Sequence, residues 1–292
     1  MYKRNFQDFA VTIISYASLI ALAAVTLLPF LNVASKSVSM DWAVTSGKVG
    51  LFPVGFQLEN MEFVITNVLF LGAMRNSVLS AAAGTVLSIL ISCMCAYLLS
   101  KKHLPGVKFI LILFIFTMIF NGGLIPTYLL YKSLNLLNNP LVLIFPNLLS
   151  VFNVLVIKSY YESLPESLEE SAKVEGANNF VILAKIIIPV SKPVLATIAL
   201  FYAVRYWNDY FNPMLYITKA GLKPLQVYLR EVIIEMDGLA SGLNRSMSEM
   251  PNVSSEGVRA ATVIASTVPI VLVYPFLQKY FIKGIMIGSI KG

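Results

Sequence analysis

Charge is what this sequence has least of. Only 13% of its 292 residues are Asp, Glu, Lys or Arg, and it holds one histidine and two cysteines. Each shortage excludes something. Cys93 and Cys95 stand two apart in an apolar run, so on a helix they point to different faces and cannot pair. With His103 alone they assemble no metal site, and none is expected. The Gly-x-x-x-x-Gly-Lys-Ser/Thr phosphate loop, the His-Glu-x-x-His helix and the Gly-x-Ser-x-Gly elbow are all missing. No catalytic residues are therefore assigned, and any ATP used must be bound by another subunit. The apolar runs also hold few acids to serve as proton relays, which weighs against an ion-coupled secondary transporter of a small polar solute, the alternative kept open here.

What the chain has instead is apolar length. Hydrophobic residues make up 57% of it, and the mean hydropathy is +0.76. Uncharged windows of 27, 25, 23, 25 and 19 residues follow Asp8, Arg75, Lys108, Lys132 and Arg259, against the roughly 20 apolar residues that cross a bilayer as a helix. A sixth, less clean stretch begins at Pro193 and is interrupted by Arg205 and Asp209. Barrel strands alternate over about 10 residues, and these windows do not. The expectation is an all-α polytopic membrane protein, a single domain over 1–292 with crossings at about 11–33, 76–100, 109–131, 140–158, 193–215 and 260–281. The first run is too long for the core of a signal peptide and is expected to stay as a helix.

Orientation follows from the lysines and arginines of the short loops. With both termini cytoplasmic, the inner segments hold Lys3, Arg4, Lys101, Lys102, Lys108, Lys158, Lys173, Lys185, Lys192, Lys279, Lys283 and Lys291, while the short outer loop near Asn138 holds only Lys132. The formal charge of +7 thus reads as a topology signal, with lipid rather than nucleic acid as the surroundings.

The inner loop between the fourth and fifth crossings carries helix signals. Ser163 and Glu166 fit a capping box, Pro165 suits a first turn, the early acids complement the helix dipole, and Gly176 supplies a left-handed stop. A helix of about three turns over 164–175 is expected, with Leu164, Leu168 and Ala172 on one stripe. Five acids between Glu162 and Glu175 disfavour an anionic membrane surface and favour docking to a protein.

Glu170-Ser171-Ala172, then Gly176, Ile186 and Pro189, resemble the EAA loop of ABC importer permeases: Glu-Ala-Ala, three residues, Gly, about nine residues, Ile-x-Leu-Pro. Ser171 replaces the usual alanine and Ile188 the usual leucine. Asn121-Gly122-Gly123-Leu124-Ile125-Pro126-Thr127-Tyr128, Trp207-Asn208-Asp209-Tyr210-Phe211-Asn212-Pro213-Met214 and the tail from Gln278 to Gly292 look like the carbohydrate branch of that family, the polysaccharide-type permeases related to the second maltose permease. The resemblance covers essentially the whole chain.

It implies the type I ABC importer permease fold, residence in a bacterial or archaeal cell membrane, and import of a sugar, oligosaccharide or polysaccharide fragment. It further implies a homologous second permease, two cytoplasmic ATPase subunits and an extracytoplasmic sugar-binding protein. ATP and magnesium would sit in the ATPases, with no cofactor on this chain. Glu170, Ser171, Ala172, Glu175 and Gly176 would be the ATPase-coupling residues, although for Gly176 a plain helix stop serves equally well.

For the substrate pathway, sugars need aromatic platforms and planar hydrogen-bonding groups, so Asn121, Tyr206, Trp207, Asn208, Asp209 and Asn212 are the candidates. An interfacial aromatic belt remains the rival explanation, above all for Tyr210, and a packing kink is the rival at Asn121. Arg205 and Asp209, four apart, are expected to pair on one helix face. The outer loop over about 216–259 is expected to hold a helix near 224–236 and a polar stretch from Asp237 to Gly257 facing the binding protein. The loop Ser35–Met61 is a second candidate for that surface. In the tail, Gly284, Gly288 and Gly292 would form a small-residue face if helical, reaching toward the ATPases or fraying into solvent.

Overall fold

The computed structural model describes residues 6–235 and 254–289. Among them the regular structure is helical, with a lone bridge between Ser39 and Phe56. In chain order come α1 (Phe6–Ser37), the short α2 (Asp41–Thr45) and α3 (Glu59–Thr66), then α4 (Val68–Ser100), α5 (Val107–Ile119) and α6 (Leu124–Ser133). Next are α7 (Val151–Glu162), α8 (Ser167–Val174), and α9 (Asn179–Ile182) joined by a π turn to α10 (Ile188–Val190). The chain continues as α11 (Lys192–Asn208), α12 (Phe211–Tyr216), α13 (Leu225–Glu235) and α14 (Ser255–Ser289). Much of the polar stretch 237–257, together with residues 290–292 of the tail, lies outside the described residues.

Among the described residues three apolar stretches are continuous helices and three are bent helix pairs, each counted as one broken span. Val11–Ser37, Val68–Ser100 and Ser255–Val273 are single apolar helices long enough to cross. The third window, expected as one kinked helix, is instead two helices at 112°. Gly123 takes φ +91°, a conformation open to a residue without Cβ, and its N–H donates to the Asn121 side chain at 2.9 Å. The fourth starts with two proline-led 3₁₀ turns, Pro140–Leu143 and Phe145–Asn147, bent 54° from α7. In the fifth, Pro189 has no N–H to give, the preceding backbone widens into the π turn Leu183–Ile187, and the chain bends by 86° before α11.

Capping, not charge, sets the start of α4. The Asn67 side chain accepts from the N–H groups of Leu69 and Phe70 at 2.9 and 3.2 Å. Arg75 therefore lies inside the helix and not at its border.

The chain divides into two compact units, Met1–Phe70 with Leu229–Pro269, and Leu71–Tyr228 with Ile270–Gly292. In the first, the segment expected as a loop at Ser35–Met61 is folded against the end of α1. Asn32 donates to the carbonyls of Val49 and Gly50 at 3.1 and 2.8 Å, Ser35 donates to Leu51 at 2.7 Å, and Lys36 pairs with Glu256 at 2.5 Å.

The second unit is built on one face of α4. Ala73, Ser77, Ser80, Gly84, Ser88, Ser92 and Ala96 recur every three or four residues and are all buried, a small-residue seam of the kind that lets membrane helices approach closely. Tyr202 and Tyr206 of α11 fill it. The Tyr206 hydroxyl lies 2.9 Å from Ser88 Oγ and donates to the Ile144 carbonyl at 3.1 Å. That of Tyr202 lies 2.7 Å from Ser92 Oγ and accepts from the Ser150 N–H at 3.0 Å.

A Cβ at Gly84 would stand 2.5–2.7 Å from the Tyr206 ring, which is itself 3% exposed and held by two hydrogen bonds. Gly84→Ala is expected to cost about 1–3 kcal/mol through overpacking, seen as a lower melting temperature in detergent. Combining it with Tyr206→Ala should cost less than the sum of the two single losses. Strict additivity would show that the two residues do not compete for this space.

Candidate functional site

The helix expected over 164–175 is present and shorter. α8 runs from Ser167 to Val174, and the capping box is not formed: Ser163 ends α7, its hydroxyl donating to the Tyr160 carbonyl at 2.7 Å, and Glu166 precedes α8 without a side-chain cap. Pro165 explains this, because the residue before a proline is kept from the helical region. The far end follows expectation. Gly176 takes φ +83° and the Ala177 N–H returns to the Ala172 carbonyl at 2.9 Å.

Two contacts on the same side hold α8 in place. Ala172 is buried among the chain's own apolar residues, in the cluster that contains Tyr161 and Ile182. Its small size thus lets α8 approach this chain's own core. Lys101, directly after α4, forms an ion pair with both oxygens of Glu169, and its ammonium lies 4.5 Å from the centre of the Tyr97 ring. Lys158 pairs with Glu162 at 2.9 Å, and Lys102 stands 3.9 Å from the same carboxylate.

The outward side carries Glu170, Ser171, Glu175 and Gly176, all exposed, together with Val174, which is 90% exposed. Leu168 is also exposed, so the expected stripe is buried only at Ala172 and, in part, at Leu164. A polar cleft of about 360 Å³ runs between α8 and the basic loop, lined by Lys102, His103, Glu162, Glu166, Glu170 and Lys173.

The candidate pathway residues separate into two groups. Tyr206 and Trp207 are buried inside the second unit, where Tyr206 serves as the packing and hydrogen-bonding element described above and not as an exposed platform. Asn121 and Asn208 are exposed, while Asp209 and Asn212 are half-buried. The expected Arg205–Asp209 pair is absent among the described ion pairs. α11 ends at Asn208, Asp209 turns extended, and the i, i+4 relation is lost. Asn147 bridges the two instead: Arg205 Nε donates to Asn147 Oδ1 at 2.8 Å, and Asn147 Nδ2 donates to Asp209 Oδ2 at 2.5 Å, which also accepts Asn212 Nδ2 at 2.9 Å.

Sequence reasoning missed Asn147 and the Lys101–Glu169 pair. Asn147 follows Pro146 in an apolar window and nothing local marks it. The lysine pair after α4 facing an acidic helix was a legible signal of complementary charge.

Residues 69–287 match the family model for the binding-protein-dependent transport system inner membrane component, and the chain belongs to that family. It is 39% identical over 280 residues to the polygalacturonan/rhamnogalacturonan transport system permease protein YtcP of Bacillus subtilis, covering 95% of this chain and 96% of that one. It is 40% identical over 271 residues to Protein LplC of the same organism, covering 93% and 91%. Among solved structures it resembles a chain of a bacterial ABC transporter involved in the import of the acidic polysaccharide alginate, with a TM-score of 0.90, 33% identity and coverage of 96% and 100%. The fold is that of an ABC importer permease, with three uninterrupted apolar helices and three bent apolar pairs among the described residues.

Lys101 and Glu169 are each less than a fifth exposed at the side chain. Lys101→Met and Glu169→Gln are each expected to loosen α8, speeding amide exchange over 165–176, with a double-mutant coupling of about 1 kcal/mol or more. Glu170→Gln, on the exposed side, should leave exchange unchanged. Additive effects of the first two changes would rule the pair out as the anchor.

Proposed function

We propose that this chain is one of two homologous permease subunits in an ATP-driven importer of oligosaccharide or polysaccharide fragments, working in the cell membrane of a bacterium or archaeon with both termini in the cytoplasm. Two cytoplasmic ATPase subunits bind ATP and magnesium, and an extracytoplasmic binding protein delivers the sugar. The similarity to permeases named for polygalacturonan and to a structure of an alginate importer supports an acidic polysaccharide fragment as the solute. Family membership favours this over the ion-coupled alternative.

The observation that carries the proposal is the two-sided character of α8. One side is fixed to this chain through Ala172 and Glu169, and the other presents Glu170, Ser171, Val174 and Glu175 to the surroundings. A helix held from behind and open in front can take up a displacement from a partner and deliver it without slack. Closure of the ATPases presses on the open side. The Lys101–Glu169 pair and Ala172 pass that movement to the end of α4 and the core, and the seam passes it on to α11 through Tyr202 and Tyr206. The pathway between the two permeases then changes the side to which it opens.

The test is ATP-dependent uptake in proteoliposomes containing this chain, its permease and ATPase partners and the binding protein. Glu170→Ala should lower uptake at least tenfold by removing a charged contact. Gly176→Pro should abolish it, since proline cannot adopt φ +83°. Both should leave the melting temperature of the isolated chain within a few degrees. Uptake that continues unchanged without the ATPases would overturn the proposal.

A further inference from the structure

Arg205 is a charged group for which the coupling mechanism has no use. It belongs to α11, within the fifth span, and is exposed. Among the described residues its side chain makes one hydrogen bond, from Nε to Asn147 at 2.8 Å, which leaves its two terminal amino groups to the surroundings. The neighbouring carboxylate does not neutralise it directly. Asp209 Oδ2 is occupied by the side-chain amides of Asn147 and Asn212, and its other oxygen accepts the Asn212 N–H at 3.4 Å.

Two physical constraints act on such a group. A guanidinium is costly against acyl chains, so in the last turn of α11 it reaches the aqueous interface, a water-filled cavity or another protein surface, and in each it stays charged and hydrated. The guanidinium is also a rigid planar fork. With its Nε edge held by Asn147, the orientation of the remaining N–H groups is set in advance, which is the arrangement that receives a carboxylate through two parallel bonds.

We propose that Arg205 is the residue that reads the carboxylate of an anionic, uronate-type oligosaccharide in the pathway, with Asn147, Asp209 and Asn212 as the bracket that positions it. This rests on the reading of the chain as a sugar-import permease. With Asn147 buried and Asp209 and Asn212 half-buried, the bracket keeps the Asp209 charge turned onto amide donors while the arginine keeps its own charge available. A lysine would offer charge without the fork, and a glutamine would offer neither.

The test uses the complete transporter with its binding protein in proteoliposomes, and measures ATP-driven uptake of trigalacturonate and of its methyl ester, each below saturation. Because the binding protein is unchanged, any change in the acid-to-ester ratio on substitution belongs to the permease. Arg205→Gln should lower uptake of the acid at least tenfold, in line with the loss of a charge-assisted hydrogen bond, and change uptake of the ester less than twofold. Arg205→Lys should fall between, and ATPase stimulation by the loaded binding protein should persist in both. Wild-type uptake of the acid by Arg205→Gln, or an equal loss for acid and ester, overturns the assignment. So does a loss of ATPase stimulation in both variants, which would place Arg205 in the fold. Transport of the ester but not the acid by the wild-type protein refutes the anionic solute while sparing sugar import. Transport of neither refutes this inference, while sugar import itself is judged by the uptake test of the coupling helix.

Discussion

The second unit depends on two tyrosine hydroxyls set into a seam of small residues. Between membrane helices there is little hydrophobic driving force, so association rests on close packing and on hydrogen bonds made away from water. The seam of α4 supplies the closeness, and Tyr202 and Tyr206 supply the bonds. Their partners are not only Ser88 and Ser92 but also backbone groups at the broken start of the fourth span, the Ile144 carbonyl and the Ser150 N–H. A break inside a membrane frees backbone groups that need a partner. The tyrosines provide one at the site where the prolines of 140–147 interrupt the helix. Gly84 belongs to the same arrangement, because the Tyr206 ring occupies the space a side chain there would take.

That dependence explains which parts of the fold were legible in the sequence. Counting uncharged residues picked out the apolar stretches that form three long helices and three bent pairs among the described residues, since the cost of a charge in lipid is a property of composition. It could not tell a span from a broken span, because Gly123 and Pro189 act through backbone geometry over a few residues. The seam was in principle readable as small residues at helical spacing, but its counterpart was not. Tyr206 and Trp207 look like sugar platforms or an interfacial belt until Gly84 shows that the Tyr206 ring is packed inward. The Arg205–Asp209 expectation failed for a similar reason. Spacing by four means neighbours only while the helix continues, and this one stops between them.

The acidic helix was recognised from its composition, yet composition treats its acids as a group. In space they do different work. Glu169 is held by Lys101, next to the Tyr97 ring, and Glu170 is left facing outward. One residue along a helix turns a side chain by about 100°, enough to separate an acid that anchors from one that is available. Ala172 makes the same point without charge. This small motif residue lets the helix settle against the chain's own core.

A continuous helix and a broken one respond differently to force. α4 keeps its backbone hydrogen bonds over 33 residues, so a displacement applied at its Lys101 end cannot be absorbed by local bending without breaking several of them at once. The fifth span has already given up that continuity. Its π turn and the bend before Lys192 leave few bonds to lose, and changes in backbone angle concentrate at such positions. The third span, with Gly123 between α5 and α6, is in the same condition. A chain that combines an uninterrupted helix such as α4 with interrupted ones concentrates backbone change at the interruptions. The polar bracket of Asn147, Arg205, Asp209 and Asn212 stands at the end of α11, the helix whose Tyr202 and Tyr206 bond into the seam of α4.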